Sequence, residues 1–256
     1  MLKKIGKYYF QKKGYFPVKI NGKRFLGDPF HIGFWRTMNK GNFEPEYFKI
    51  LDKYLHKDSV YCDIGSWIGP TVMYASGLCK KVYAFEPDKI AYPFLLQNIE
   101  LNKLENVSTH NIAIASSNGQ IKMASHGGNL GDSMSSMVNI ENIKKSISVP
   151  AMKWQSWLEK NNPVKIDFIK MDIEGGEVEV IPTMIDYLKT ERPILHISTH
   201  GLYLNEISKR EELEILFSSI KFYKTCLDEN LNKVKIDNEL LESCTNTFRS
   251  FLFMDE

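Results

Sequence analysis

Residues 60–70 read Val60-Tyr61-Cys62-Asp63-Ile64-Gly65-Ser66-Trp67-Ile68-Gly69-Pro70, a short apolar run that breaks at two glycines and ends on a proline. The run is strand-like, and Pro70 falls where the first turn of a helix tolerates a residue without an N–H. Glycine lacks a Cβ and accepts unusual dihedrals, so a strand passing through glycine into a helix lets a ligand approach its backbone closely. Open parallel sheets bind their ligands at these carboxyl ends.

Outward from this turn the pattern repeats. Strand-like segments at Lys81–Phe85, Val107–Ile114, Ile166–Met171 and Ile194–Thr199 follow Val60–Ile64. Helical spacing fills the intervals at Pro70–Cys79, Lys89–Asn102, Glu177–Lys189 and Asn205–Ile220. This alternation predicts an α/β fold, a parallel sheet with helices on both faces. Segments around Tyr223–Leu227 and Phe248–Met254 are expected to add two edge strands, one of them antiparallel.

Upstream, Val18 and Ile20 lead into Asn21-Gly22, and Phe25 and Leu26 follow, a hairpin signal within residues 15–34. Tyr47, Phe48, Leu51, Tyr54 and Leu55 then have helical spacing. No linker intervenes, so residues 1–58 read as a hairpin-and-helix lid on a main domain of residues 59–256. Between Gly119 and Val149 the alternation lapses into polar, small-residue runs, His126-Gly127-Gly128-Asn129 and Ser133-Met134-Ser135-Ser136-Met137. A long stretch of this kind inside a compact domain is either a functional lid or a disordered insertion.

Composition narrows the function. A hydrophobic fraction of 43% and a charged fraction of 25% over 256 residues suffice for a folded core. With 33 basic against 31 acidic residues, the net charge of +2 supplies no field that would gather nucleic acid. Cys62, Cys79, Cys226 and Cys244 form no CxxC pair or His-spaced ligand set, so they read as reduced thiols of a cytoplasmic protein. The start carries Lys3, Lys4, Lys7, Lys12 and Lys13 but no apolar stretch of signal-peptide or membrane-spanning length. It reads as a solvated helix covering the core, with an anionic surface or a glycan as the alternative contact.

The first strand's tip points to a nucleoside ligand. Gly65, Ser66, Trp67 and Gly69 form the turn, but the third glycine of a dinucleotide fingerprint is missing. A carboxylate at Asp63 would repel a pyrophosphate and attract an ammonium group. Glu86, in Phe85-Glu86-Pro87-Asp88, lies near the separation at which an acid meets a ribose in such sheets, and a carboxylate accepts from two vicinal hydroxyls. Asn111-Ile112-Ala113 is placed to flank an adenine ring, and Trp67 either closes the pocket or packs beneath the lid. Farther on, Asp172 and Glu174 share one face of an extended segment, as do His196, Ser198 and His200. Asp172 is expected to orient an acceptor or the ligand's amino-acid end, Glu174 or His200 to take a proton, and His196 to sit in the core. The same Asp172, Glu174 and His200 could instead surround a divalent metal.

Three segments in order, Asp63-Ile64-Gly65-Ser66-Trp67-Ile68-Gly69-Pro70, Phe85-Glu86-Pro87 and Lys170-Met171-Asp172-Ile173-Glu174-Gly175-Gly176-Glu177, resemble the FkbM family of methyltransferases over roughly Phe43 to His200. The resemblance implies a Rossmann-like class I methyltransferase fold with a seven-stranded sheet, S-adenosylmethionine as cofactor, and methyl transfer to a hydroxyl of a sugar, a glycan or a small natural product. Ser66 and Trp67 depart from the alanine and asparagine common in that loop. Phe43-Glu44-Pro45-Glu46 resembles a motif ahead of the main domain in some members, where Glu44 either faces the site or starts a helix. Trp35, Trp154 and Trp157 are candidate stacking surfaces or core. A homodimer is compatible with this reading. The rival readings are a nucleotide-dependent oxidoreductase and a non-catalytic glycan- or partner-binding module.

Overall fold

The computed structural model describes residues 2–141, 143 and 145–255; the side chains of Lys3, Lys4 and Lys7 lie outside the described residues. The N-terminal segment comprises α1 (Leu2–Lys13), β1 (Phe16–Ile20), β2 (Lys23–Gly27), α2 (Ile32–Asn39) and α3 (Pro45–Tyr54). Asn21 and Gly22 join β1 to β2 with φ of 40° and 86°, the left-handed pair that a two-residue hairpin turn requires. The end of the expected hairpin region is helical instead: α2 buries Ile32, Trp35 and Met38 at i, i+3 and i+6.

The main domain continues with β3 (Val60–Ile64), α4 (Pro70–Ser76), β4 (Lys81–Phe85), α5 (Tyr92–Leu101) and β5 (Val107–His110). After the second sheet described below come α6 (Trp154–Asn161), β10 (Phe168–Met171), α7 (Glu177–Val180), α8 (Ile185–Glu191) and β11 (Ile194–His200). Its last elements are α9 (Lys209–Ser219), β12 (Thr225–Asp228), α10 (Asn238–Asn246) and β13 (Phe248–Met254). The expected helix over 177–189 breaks into a 3-10 turn at Ile181–Met184, where Pro182 has no N–H to give an α-helical ladder.

The seven-stranded sheet has the order β12-β13-β11-β10-β3-β4-β5. The five strands from β11 to β5 are mutually parallel, and β13 runs antiparallel to both β11 and β12. Only β12 of the two expected edge strands lies at the edge. β13 is interior because its Phe251, Leu252, Phe253 and Met254 are buried, which needs cover on both sides.

The stretch after β5 is neither a simple lid nor a disordered insertion. It folds into a second sheet of β6 (Ala113–Ile114), β7 (Gly119–Ser125), β8 (Ser135–Ser136) and β9 (Ser146–Met152), in the order β6-β9-β7-β8. Met123, Val149 and Ala151 alternate inward and form a small core with Ala113 and Ala115. Consequently the strand expected over 107–114 splits, and Asn111 and Ile112 form the step between the sheets.

Two large cores flank the main sheet. On one face Ile20, Trp35, Phe48 and Leu51 of the N-terminal segment pack in one cluster with Val72, Tyr74 and Val82. On the other, Trp154 and Trp157 pack with Phe85, Ile181, Met184 and Phe217. Trp35, Trp154 and Trp157 are wholly buried, so none is a stacking platform for a ligand. Removing such a side chain costs on the order of 3–5 kcal/mol. All four cysteines are free thiols, and no described helix is long and apolar enough to cross a membrane.

Candidate active site

The glycine turn is pinned at the carboxyl end of the sheet. The N–H groups of Gly65 and Ser66 both donate to the carbonyl of Phe85, at 3.1 and 2.9 Å. Gly65 has φ of 90°, and a Cβ there would lie 1.9 Å from the carbonyl oxygen of Asp172. Glycine is thus required by the chain leaving β10, not only by a ligand. Gly69, at φ 85°, precedes α4 and lines neither cavity.

Two cavities meet above this turn. The first, about 570 Å³, is lined by Ile64, Gly65, Trp67, Phe85, Glu86, Pro87, Ile112, Ala113, Asp172 and Glu174 among others. Glu86 is its buried polar group: one carboxylate oxygen accepts from the N–H of Trp67 at 2.8 Å and the other from Asp88 at 2.7 Å. Burial raises its carboxyl to about 7 against those two bonds. Each oxygen keeps a lone pair for a further donor. Asn111 does not flank this cavity. Its amide donates to the carbonyls of Glu86 at 2.8 Å and Pro87 at 3.3 Å, so it braces the turn that carries Glu86.

Asp63 is also placed differently from the expectation. It is wholly buried, lines neither cavity, accepts from the Thr71 hydroxyl, and pairs with Lys170 at 3.3 Å. An ammonium already occupies its field, and it belongs to this chain. Lys170 extends from Asp63 to Asp172 at 3.2 Å and donates to the Gly65 carbonyl at 3.3 Å. Its charge on that side is spent holding the glycine turn to β10. The two-residue spacing of Lys170 and Asp172 was the signal that could have identified it.

The second cavity, about 1520 Å³, shares Gly65, Trp67, Ser133, Asp172 and Glu174 with the first. Ser66, Lys170 and His200 line it, with aromatic faces from Phe43, Tyr47, Tyr203 and Phe248. Here Nε2 of His200 lies 3.4 Å from Asp172 and 3.3 Å from Glu174, while Nδ1 lies 3.4 Å from Glu177. Burial opposes a charge on the imidazole, but the three carboxylates prevail and raise it to about 9. Asp172 is driven to about 2, against its burial, chiefly by Lys170 and then by His200. Burial raises Glu174 to about 8. His196 also lines this cavity; it is buried against Tyr47, and burial lowers it to about 3.

Glu177 stands at the start of α7. Its two oxygens accept from the N–H groups of Ile173 at 2.7 Å and Gly175 at 2.9 Å, fixing the loop that presents Asp172 and Glu174. Tyr203 stacks parallel to His200 with centroids 6.0 Å apart and on His126 at 4.1 Å. Neither Tyr203 nor Arg249, at the far wall, was marked by any sequence pattern.

The tip of the second sheet roofs the junction of the cavities. Asp88 accepts from the Gly131 N–H at 2.7 Å and the Ser135 hydroxyl at 3.1 Å, and the Trp67 indole donates to the Gly131 carbonyl at 2.9 Å. Trp67 also packs edge-on against Phe34 of α2, so it both lines the cavities and supports the lid. Asp172, Glu174 and His200 bring one ligand atom each within 4.8 Å of one another, a donor set that a divalent cation accepts.

Comparison with known proteins shows the family to which the chain belongs. The methyltransferase FkbM domain matches residues 62–223, more than half of the chain. An uncharacterized protein of Methanocaldococcus jannaschii is 24% identical over 212 residues, covering 80% of this chain and 71% of its own length. The crystal structure of the methyltransferase FkbM from Methylobacillus flagellatus KT has a TM-score of 0.48 at 15% identity, covering 83% of this chain and 51% of that one. SMU.776, a methyltransferase candidate solved with S-adenosylhomocysteine, has a TM-score of 0.50 at 12% identity, covering 94% of this chain and 56% of that one. A glycine turn at β3, an acid ending β4 and the Asp-x-Glu-Gly-Gly-Glu loop after β10 all fall inside the matched residues, and the chain belongs to the FkbM family of S-adenosylmethionine-dependent methyltransferases.

Proposed function

We propose that the enzyme methylates a hydroxyl group, that its acceptor is a sugar, a glycan or a small polyhydroxylated natural product, and that it works in the cytoplasm. The observation that carries this reading is the lining of the second cavity, which sets aromatic faces beside carboxylates just beyond Asp172 and Glu174. Aromatic faces suit the apolar C–H face of a sugar ring, and carboxylates accept from its hydroxyls.

The residues of the first cavity fit the cofactor. Glu86 offers lone pairs to ribose hydroxyls, Ile112 and Ala113 offer apolar faces to a purine, and Asp172 stands ionised where the cavities meet. S-adenosylmethionine, when bound, supplies an electrophilic methyl group. Asp172 would hold the cofactor's ammonium, since Lys170 keeps it anionic at every working pH. The charged His200 donates rather than accepts, and with Glu174 it would orient the acceptor's hydroxyls. Tyr203 and Phe248 pack on His200 and keep water from one side of it. In-line placement of the acceptor oxygen then supplies much of the acceleration.

The test is to measure binding of S-adenosylmethionine by calorimetry and then screen UDP-hexoses, free saccharides and polyhydroxylated aglycones for uptake of a tritiated methyl group. Base-stable label on a saccharide oxygen is expected. Transfer only to amines, carboxylates or RNA would overturn the acceptor reading while leaving the cofactor in place.

A further inference from the structure

The second cavity holds one carboxylate with no partner. Glu44 lines it, yet among the described residues its side chain makes no hydrogen bond and no ion pair. It precedes α3 but does not cap it: no backbone N–H of the helix bonds to its side chain. The helix-start role is therefore unfilled.

Its backbone is held in an unfavourable conformation. Glu44 has φ of 42° and ψ of 47°, the left-handed region that a residue with a Cβ rarely enters. Trp67 at φ 47° and Glu174 at φ 55° share that conformation, and both line the same cavity. Left-handed non-glycine residues persist where surrounding structure over-determines them, and they gather at active sites. Here the clamp is visible. Pro45 fixes the first turn of α3, and two residues on the Tyr47 hydroxyl bonds the buried Tyr61 of β3 at 2.8 Å.

Resting on the hydroxyl-acceptor reading above, we infer that Glu44 is the proton acceptor of the reaction, supplied by the N-terminal segment from outside the residues that define the family match. The other carboxylates of the cavity are engaged. Asp172 pairs with Lys170 and His200, Glu174 with His200, Glu46 with Lys49, and Glu229 faces Arg249. Asp172 is in addition too weak a base. The groups acting on Glu44 are Asp172, Lys170, Asp63 and His200; the protein crowded around the cavity and then Asp172 raise its carboxyl, while exposure of the side chain to solvent through that cavity weakens the effect. A base poised near the working pH is what proton transfer from an alcohol favours. The acceptor hydroxyl gives its proton to a Glu44 oxygen as its own oxygen takes the methyl. The pair of the old sulfur–carbon bond stays with sulfur, so carboxylate becomes carboxyl and sulfonium becomes thioether.

The experiment compares the full-length wild type with Glu44→Gln and Glu44→Asp. In the free protein, carboxyl-labelled glutamate should show by NMR a resonance titrating near pH 7 that Glu44→Gln removes. Calorimetry should give S-adenosylmethionine binding within about threefold of wild type, while turnover of the saccharide found in the screen falls about 10²–10⁴-fold. The acidic limb of the turnover profile should vanish in Glu44→Gln and partly return in Glu44→Asp. A Glu44→Gln protein with turnover within threefold of wild type and the same acidic limb would overturn the role of Glu44 alone. A wild type that binds the cofactor but methylates no hydroxyl would overturn the acceptor reading, and this role with it.

Discussion

The two cavities share a wall and differ in almost everything else. The first is narrow and mostly apolar, with Glu86 as its buried acid and its lining drawn from the tips of β3 and β4, the step between the sheets, the second sheet with its tip, and the loop after β10. The second is almost three times larger and crowded with charge, and its lining comes from seven separate parts of the chain, including the segment before α3 and the start of β13. If the first cavity takes the nucleoside, as proposed above, its lining falls wholly within the family-matched region, as a ligand of fixed shape would require. If the second cavity takes the acceptor, its peripheral segments can change with that acceptor without disturbing the sheet.

Substitutions at the shared wall should have the largest effect, because both cavities depend on it. Gly65→Ala places a Cβ against the Asp172 carbonyl, and binding of S-adenosylmethionine should drop below detection by calorimetry. Binding within threefold of wild type would show that the turn and β10 yield to each other. Next, His200→Ala belongs to the second cavity alone. Turnover should fall about 10²–10³-fold with cofactor affinity unchanged. Equal losses in both would mean that the cavities are not separable.

Glu86→Gln belongs to the first cavity alone, and isothermal titration should show about 10–100-fold weaker cofactor binding, the worth of hydrogen bonds to a charged group. A smaller and opposite effect concerns stability. Glu44, Glu86, Glu174 and His200 all have raised pKa values in the folded protein, so it binds more protons than the unfolded chain as pH rises from 6.5 toward 9. Stability must therefore fall across that window. His110, His126 and His196, shifted the other way, oppose this fall only at the bottom of the window, where the unfolded imidazoles lose their protons. A calorimetric melting temperature lower at pH 9 than at pH 6.5, by on the order of 5 °C, is expected, and Glu86→Gln should reduce the slope at its lower end.

The same contrast explains how much the sequence revealed. β3 and β4 were legible to the residue, because a short apolar strand ending in glycine or Glu-Pro carries its own boundaries. Glu86 and the Asp172-Glu174 pair were legible because strand tips define where side chains emerge. Asp63 was misplaced because sequence shows a charge but not its partner, and Lys170 sits 107 residues away along the chain. The second sheet was missed because its strands alternate small and polar residues, Ala, Ser and Lys among them, whose inward faces suffice only for a small core. Tyr203 reaches the site from the 3-10 turn after β11 and Phe248 from the first residue of β13, positions that depend on how α9, α10 and β13 pack, which no local pattern encodes.

The most direct measurement is a crystal structure with S-adenosylhomocysteine. Ribose hydroxyls are expected on Glu86, the purine against Ile112 and Ala113, and the amino group at Asp172, leaving Glu44, His200 and Tyr203 free around open space. A nucleoside lying in the larger cavity, with Glu86 making only its bonds to Trp67 and Asp88, would contradict it.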